Sequence, residues 1–199
     1  MSKGKSMTEE IIQNLREALI KHECTLKKAS FDKCSVSYMC ESKLKVINFD
    51  KIPKEYSKEK HLPCLPASND ALYISKDGSW YFIEFKNGSI DRADLFRKIY
   101  DSIIMLLELG IIPDFDFARK NISYILVYNS DKYPKIQKSE SREENFSYFM
   151  RLAKTEEKLF EVEKLEKYLL KETHTYSKEL FNTKFIIPME SIEGMAVTR

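Results

Sequence analysis

The run Ser68-Asn69-Asp70-Ala71-Leu72-Tyr73-Ile74-Ser75-Lys76-Asp77-Gly78-Ser79-Trp80-Tyr81-Phe82-Ile83-Glu84-Phe85-Lys86-Asn87-Gly88 reads as two strands joined by a tight turn. Ala71 to Ile74 and Trp80 to Phe85 are dense in aromatic and branched residues, which suit pleated backbone. Lys76-Asp77-Gly78 between them is turn chemistry. Leu72, Ile74, Trp80 and Phe82 alternate with Tyr73, Tyr81, Ile83 and Phe85, so both faces of the hairpin are apolar. Strands of that kind are covered by helices on both sides. Charges in such a run are expensive to bury unless paired or coordinated. Asp70, Glu84 and Lys86 are therefore the informative positions.

Two turns fit the sequence. A two-residue turn at Asp77-Gly78 pairs Lys76 with Ser79 and sends Asp70 to the face opposite Glu84. A three-residue loop, with Gly78 left-handed, pairs Ser75 with Ser79 and sets Asp70 directly across from Glu84. Lys86 then shares their face by the two-residue alternation. The expectation is the three-residue loop, because it alone gathers the charges. The triplet Glu-x-Lys carries little by itself, since Glu41-Ser42-Lys43 and Glu156-Glu157-Lys158 repeat it. Only Glu84 and Lys86 interrupt a strongly apolar strand.

Outward from the hairpin, Thr8 to about Lys28 reads as a helix, with Ile11, Ile12, Leu15, Ala18, Leu19, His22 and Leu26 on one face. Ser35 to Met39 and Leu44 to Phe49 are strand candidates, and Asp50 to Lys60 reads as loop. Asp91 or Ser89 caps a helix that runs to about Leu109, where Gly110 suits a left-handed end. Ile122 to Tyr128 is apolar enough for a central strand. Residues 135–172 are charge-dense, with Phe146, Phe149, Leu152, Leu159, Phe160, Leu165, Tyr168 and Leu169 recurring, and predict one or two amphipathic helices. Phe185-Ile186-Ile187-Pro188 reads as a short last strand. The division is a core over 1–134 and a helical extension over 135–199, packed as one domain.

The 199 residues include twelve Phe and eleven Tyr, which excludes intrinsic disorder. The longest apolar stretch, Ser102 to Ile112, is broken by Glu108 and is far short of the roughly 20 residues a membrane span needs. The opening residues MSKGKSMTEE lack a signal-peptide apolar region, so the expected location is cytoplasmic, with no membrane partner. The net charge of +2 gives no general electrostatic case for nucleic-acid binding, so any such surface must be a local patch. Cys24, Cys34, Cys40 and Cys64 lack paired zinc-type spacing and read as buried or half-buried free thiols. His22, on an apolar helix face, reads as packed.

The strings Ser68 to Gly78 and Phe82 to Gly88 resemble the hairpin of the PD-(D/E)xK nuclease superfamily, as found in restriction-type endonucleases and archaeal Holliday-junction resolvases. Residues 8–128 match that family's αβββαβ order. The resemblance implies an α/β fold with a restriction-endonuclease-like core, a central mixed sheet flanked by helices. It implies Asp70 and Glu84 as ligands of Mg²⁺ (or Mn²⁺), Lys86 as the catalytic lysine, and Glu9 as a further metal ligand. The sequence departs from the family's pattern at Asn69, where a proline is usual, and at Phe96, where one branch has Gln four residues before Tyr100.

The expected function is metal-dependent cleavage of nucleic acid, DNA first. Arg92, Arg97 and Lys98, opening the helix after the hairpin, are expected to meet phosphates. The alternatives are an inactive nuclease-fold binding module, or an interaction protein built around 135–172. A plainer alternative for the residues themselves is a backbone-capping Asp70 and an ordinary Glu84–Lys86 ion pair. A homodimer stays open.

Overall fold

The computed structural model describes residues 19–131 and 155–194. The chain order is β1 (Glu23–Thr25), α1 (Leu26–Ala29), β2 (Phe31–Asp32), β3 (Ser37–Tyr38), β4 (Lys45–Asn48), α2 (Ile52–Lys60), β5 (Ala71–Ile74) and β6 (Trp80–Lys86). It continues through α3 (Arg92–Glu108), α4 (Phe115–Asn121), β7 (Ile122–Tyr128), β8 (Glu172–Ser177), α5 (Lys178–Phe181) and α6 (Ile187–Ile192). Six strands form one mixed sheet in the order β1-β4-β5-β6-β7-β8. Neighbours from β1 to β6 are antiparallel, while β7 and β8 run parallel to β6. The parallel step from β6 to β7 requires a crossover, and α3 and α4 supply it. The protein is therefore α/β with a mixed central sheet.

The two apolar faces each carry a core. Leu72, Phe82, Tyr124 and Leu126 pack against Leu95, Ile99, Ile103 and Leu106 of α3 and against Ile52 and Tyr56 of α2. On the reverse face, Tyr73, Ile83, Ile125 and Val127 pack against Leu180, Phe181, Phe185 and Ile186. All seven residues of β7 are buried, as its sequence predicts for a central strand.

Four expectations are corrected. The first helix does not reach Lys28: Leu19 and Ile20 are helical, then the chain turns into β1. Cys24 pairs there with Val46 across the sheet, and the Thr25 hydroxyl caps α1 by accepting from Lys28 N–H. The segment 50–60 is not a loop but a 3₁₀ turn leading into α2. Pro53 sits in that helix's first turn, where no donor is needed, and Ile52 and Tyr56 anchor it in the core. Phe185–Pro188 is not a strand: a π-turn at Asn182–Ile186 runs into α6. An apolar run this short buries equally well in either state. Within 135–172, the described part from residue 155 holds one 3₁₀ turn, Val162–Leu165, and then enters β8. Phe146, Phe149 and Leu152 lie outside the described residues, as does most of the first helix.

All four cysteines are free, with Cys24 and Cys40 buried and Cys34 and Cys64 exposed. His22 is packed, with Nε2 3.1 Å from a Glu55 oxygen. No helix among the described residues is long and apolar enough to cross a membrane.

Candidate active site

The β5–β6 hairpin closes through the three-residue loop. Ile74 pairs with Trp80, Tyr73 with Tyr81, Leu72 with Phe82 and Ala71 with Ile83. Ser75 N–H donates to the Ser79 carbonyl at 2.9 Å, which removes Lys76 from the ladder. Gly78 takes the left-handed conformation at φ +87°. Asp77 Oδ1 accepts from Ser79 N–H and fastens the turn. One further step of this register sets Asp70 across from Glu84. The Phe85 N–H donates to Asp70 Oδ2 at 2.6 Å, holding that carboxylate against β6.

Glu84 is 1% exposed, a carboxylate inside the sheet. Two ammonium groups reach it on the α3 side. Lys98 Nζ lies 2.6 Å from Glu84 Oε1 and 3.8 Å from Asp70 Oδ1. Lys86 Nζ lies 3.2 Å from the same Glu84 oxygen and 3.1 Å from Asp94 Oδ2. Burial pushes the Asp70 carboxyl well above its ordinary range, the Glu84 charge adds to that, and Lys98 opposes it. Burial also raises Glu84, against the pull of Lys98 and Lys86. Burial pulls Lys98 down, but the two carboxylates outweigh it and hold the ammonium above its ordinary value. Asp94, with its own burial overcome by the Lys86 and Arg97 bonds, stays below the ordinary range. Glu84 Oε2 is buried without a hydrogen-bond partner, and so is the Tyr124 hydroxyl on the neighbouring strand.

The helix α3 builds this arrangement one turn at a time. Asp91 caps it by accepting from Ala93 N–H. Asp94, Lys98 and Ser102 follow at four-residue spacing, so they share one face. Asp94 holds Lys86, and Lys98 neutralises Glu84. Ser102 Oγ accepts from both the backbone N–H and the side-chain Nδ2 of Asn69, each at 3.1 Å. Asp101 adds a 2.8 Å bond from Ala67 N–H. The approach to Asp70 is thus bolted to α3, and Asn69 uses a donor that proline does not have. On the other side, Phe49 N–H donates to the Asp70 carbonyl, and Ser68 donates to Asp50 Oδ1. The Asp50 charge is also felt at Asp70, which it raises further. Asp50, Asp70 and Lys86 line one open cleft of about 600 Å³.

Of the residues expected from the sequence, Asp70, Glu84 and Lys86 come together. Lys98 joins them, turned inward to the carboxylates rather than outward to a phosphate surface. Arg92 pairs with Glu161, and Arg97 pairs with Asp94. At about 100° per residue, positions 92, 97 and 98 point in three directions, so they make no single basic patch. Glu9 lies outside the described residues. The sequence reading missed the inward role of Lys98 and the tether Asp94. Their four-residue spacing on the helix after the hairpin was the available signal.

Glu84 and Asp70 offer hard oxygen donors, and one of those oxygens is a buried orphan, so the residues present fit a divalent cation of the Mg²⁺ type. Such an ion is often held by one or two carboxylates, with water and substrate oxygens completing its shell. Among the described residues, no set of three or more His, Cys, Asp or Glu side chains converges as a closed metal cage. No protein-family model, no curated protein and no solved structure matches this chain.

Proposed function

We propose that the protein is a metal-dependent nuclease of restriction-endonuclease-like architecture, acting on DNA. One observation carries the reading: the register that pairs Ala71 with Ile83 sets Asp70 across from Glu84 with Lys86 on the same side, and Asp70 and Lys86 line an open cleft. Asp70 and Glu84 would hold Mg²⁺ (or Mn²⁺). A bound divalent cation supplies Lewis-acid polarisation of the phosphodiester. Lys86, steadied by Asp94, offers an ammonium to charge developing on the phosphate or to the attacking water. Lys98 is a positioning residue, bonding Glu84 and opposing the upward push that burial gives its carboxyl.

A second reading has its own support. The Lys98 ammonium reaches both carboxylates and balances them without any metal, which suits a binding module that has lost turnover. Calorimetric titration with Mn²⁺, paired with single-turnover cleavage of a labelled DNA, separates the two. The nuclease reading expects Mn²⁺ binding that Asp70→Asn abolishes. It also expects cleavage that Lys86→Ala slows by roughly 100-fold or more. Equal cleavage by wild type and Lys86→Ala refutes the catalytic assignment, and absence of Mn²⁺ binding refutes the metal site.

A further inference from the structure

The β2–β3 hairpin stands apart from the main sheet and forms a rim of the cleft. It has two paired residues on each side, too few to hold itself together in water. Its position comes from its base, where Met39 N–H donates to the Ser30 carbonyl and Cys40 N–H to the Ser30 hydroxyl, and from Asn87, the residue after Lys86. Asn87 Nδ2 donates to Asp32 Oδ2 and to Ser35 Oγ, both at 2.7 Å. Asn129 Nδ2 in turn donates to Asn87 Oδ1 at 2.7 Å. The hairpin is therefore indexed to the lysine of the candidate site. Its tip residue Val36 holds φ at +50°, a strained value for a branched side chain.

This indexed hairpin presents aromatic rings to solvent. Phe31 is 37% exposed and Tyr38 is 45% exposed, with their centroids 4.9 Å apart and the Lys27 ammonium 4.7 Å from the Tyr38 centroid, so Phe31 is the more open ring. Behind them runs a second cleft, lined by Phe31 and Tyr38 together with Lys28, Lys33 and Lys51. Phe31, Lys33 and Asp50 line both clefts, so the two adjoin. Lys28, Lys33 and Lys51 form no ion pair among the described residues. A chain of net charge +2 thus sets three unpaired cations beside solvent-facing aromatic rings, in a cleft whose acids are Glu23 and Asp50. Exposed rings beside a row of cations match a single-stranded nucleic acid, which offers base faces and phosphates together. A duplex has its base faces stacked away.

We propose that this hairpin is the strand-guiding wall of the site: a single-stranded DNA segment lays bases against Phe31 and Tyr38 and phosphates along Lys28, Lys33 and Lys51. The proposal rests on the nuclease-fold reading for its direction, but it is a binding claim and can be tested without turnover. The experiment is fluorescence anisotropy of a labelled oligothymidylate and of an equally long duplex, in EDTA, with the full chain. The single strand is expected to bind more tightly than the duplex. The double variant Phe31→Ala/Tyr38→Ala should weaken it by roughly tenfold or more. The exposed variant Lys33→Glu/Lys51→Glu should weaken it too and flatten the salt dependence. The lysine variant keeps the test open where loss of the rings unfolds the hairpin. Both variants should still bind Mn²⁺ as wild type does. Duplex binding equal to single-strand binding, lysine-variant affinity equal to wild type, or no oligonucleotide binding at all overturns the proposal. None of these results touches the Mn²⁺ titration that judges Asp70 and Glu84.

Discussion

Replacing Lys98 with methionine keeps the aliphatic stem and removes the ammonium 2.6 Å from Glu84 Oε1. Removing one partner of a buried ion pair costs about 3–5 kcal/mol, because the other charge stays desolvated. Here Lys86 remains 3.2 Å from the same oxygen. At that range a second cation recovers part of the lost attraction, so the expected loss is about 2–3 kcal/mol. For a chain of this length that lowers the melting temperature by about 5–10 °C. Adding Glu84→Gln to Lys98→Met should return part of the loss, since the most deeply buried anion is gone and only Asp70, 3.8 Å from the lost ammonium, stays uncompensated. The pH dependence has a defined sign. Glu84 already titrates above its ordinary range, and losing Lys98 raises it further. Between the unfolded and folded values the folded state binds more protons, so stability falls as pH rises. The deficit of Lys98→Met should therefore widen as pH rises from the ordinary carboxylate range toward neutrality. Urea denaturation across that range is the assay. A loss below about 0.5 kcal/mol, or one independent of pH, would refute the charge balance derived for Glu84.

Ser102→Ala strips the shared acceptor from two Asn69 donors and should cost about 1–3 kcal/mol in urea melts, with weaker Mn²⁺ affinity because Asp70 is the next residue. Gly78→Ala meets no atom within 4 Å but must hold φ near +87°, so calorimetry should show a loss of about 1–2 kcal/mol from the backbone alone. Gly88→Ala, equally open and without a positive φ, is the control and should change stability by less than about 0.5 kcal/mol.

The hairpin was legible because its strands carry strong alternation and its loop has few options. Choosing between the two turns needed only the face on which Asp70 fell. Strand β8 was hidden for a physical reason. Thr173, Thr175 and Ser177 are buried yet polar, and no apolar run marks them. Glu166 Oε1 accepts from both the N–H and hydroxyl of Thr173, and Glu156 Oε1 accepts from Thr175 N–H. Side-chain carboxylates thus satisfy backbone donors of the outermost strand, and acidic residues that read as a solvated helix face serve the sheet instead. The inward turn of Lys98 was illegible for a related reason. A lysine on a helix reads as solvated until the helix is known to cover a carboxylate.

The order in which the chain is made bears on how Glu84 comes to be buried. Strands β4, β5 and β6 are sequence neighbours and pair antiparallel, so they can associate as soon as they are synthesised. At that stage Asp70 and Glu84 still face water, where two nearby carboxylates cost little. The lysine that neutralises Glu84 lies fourteen residues later, on the helix whose docking expels that water. Dehydration and neutralisation are thereby one event. No early intermediate has to carry a desolvated, uncompensated anion, and the last step of closing this face is also the step that makes its charges tolerable.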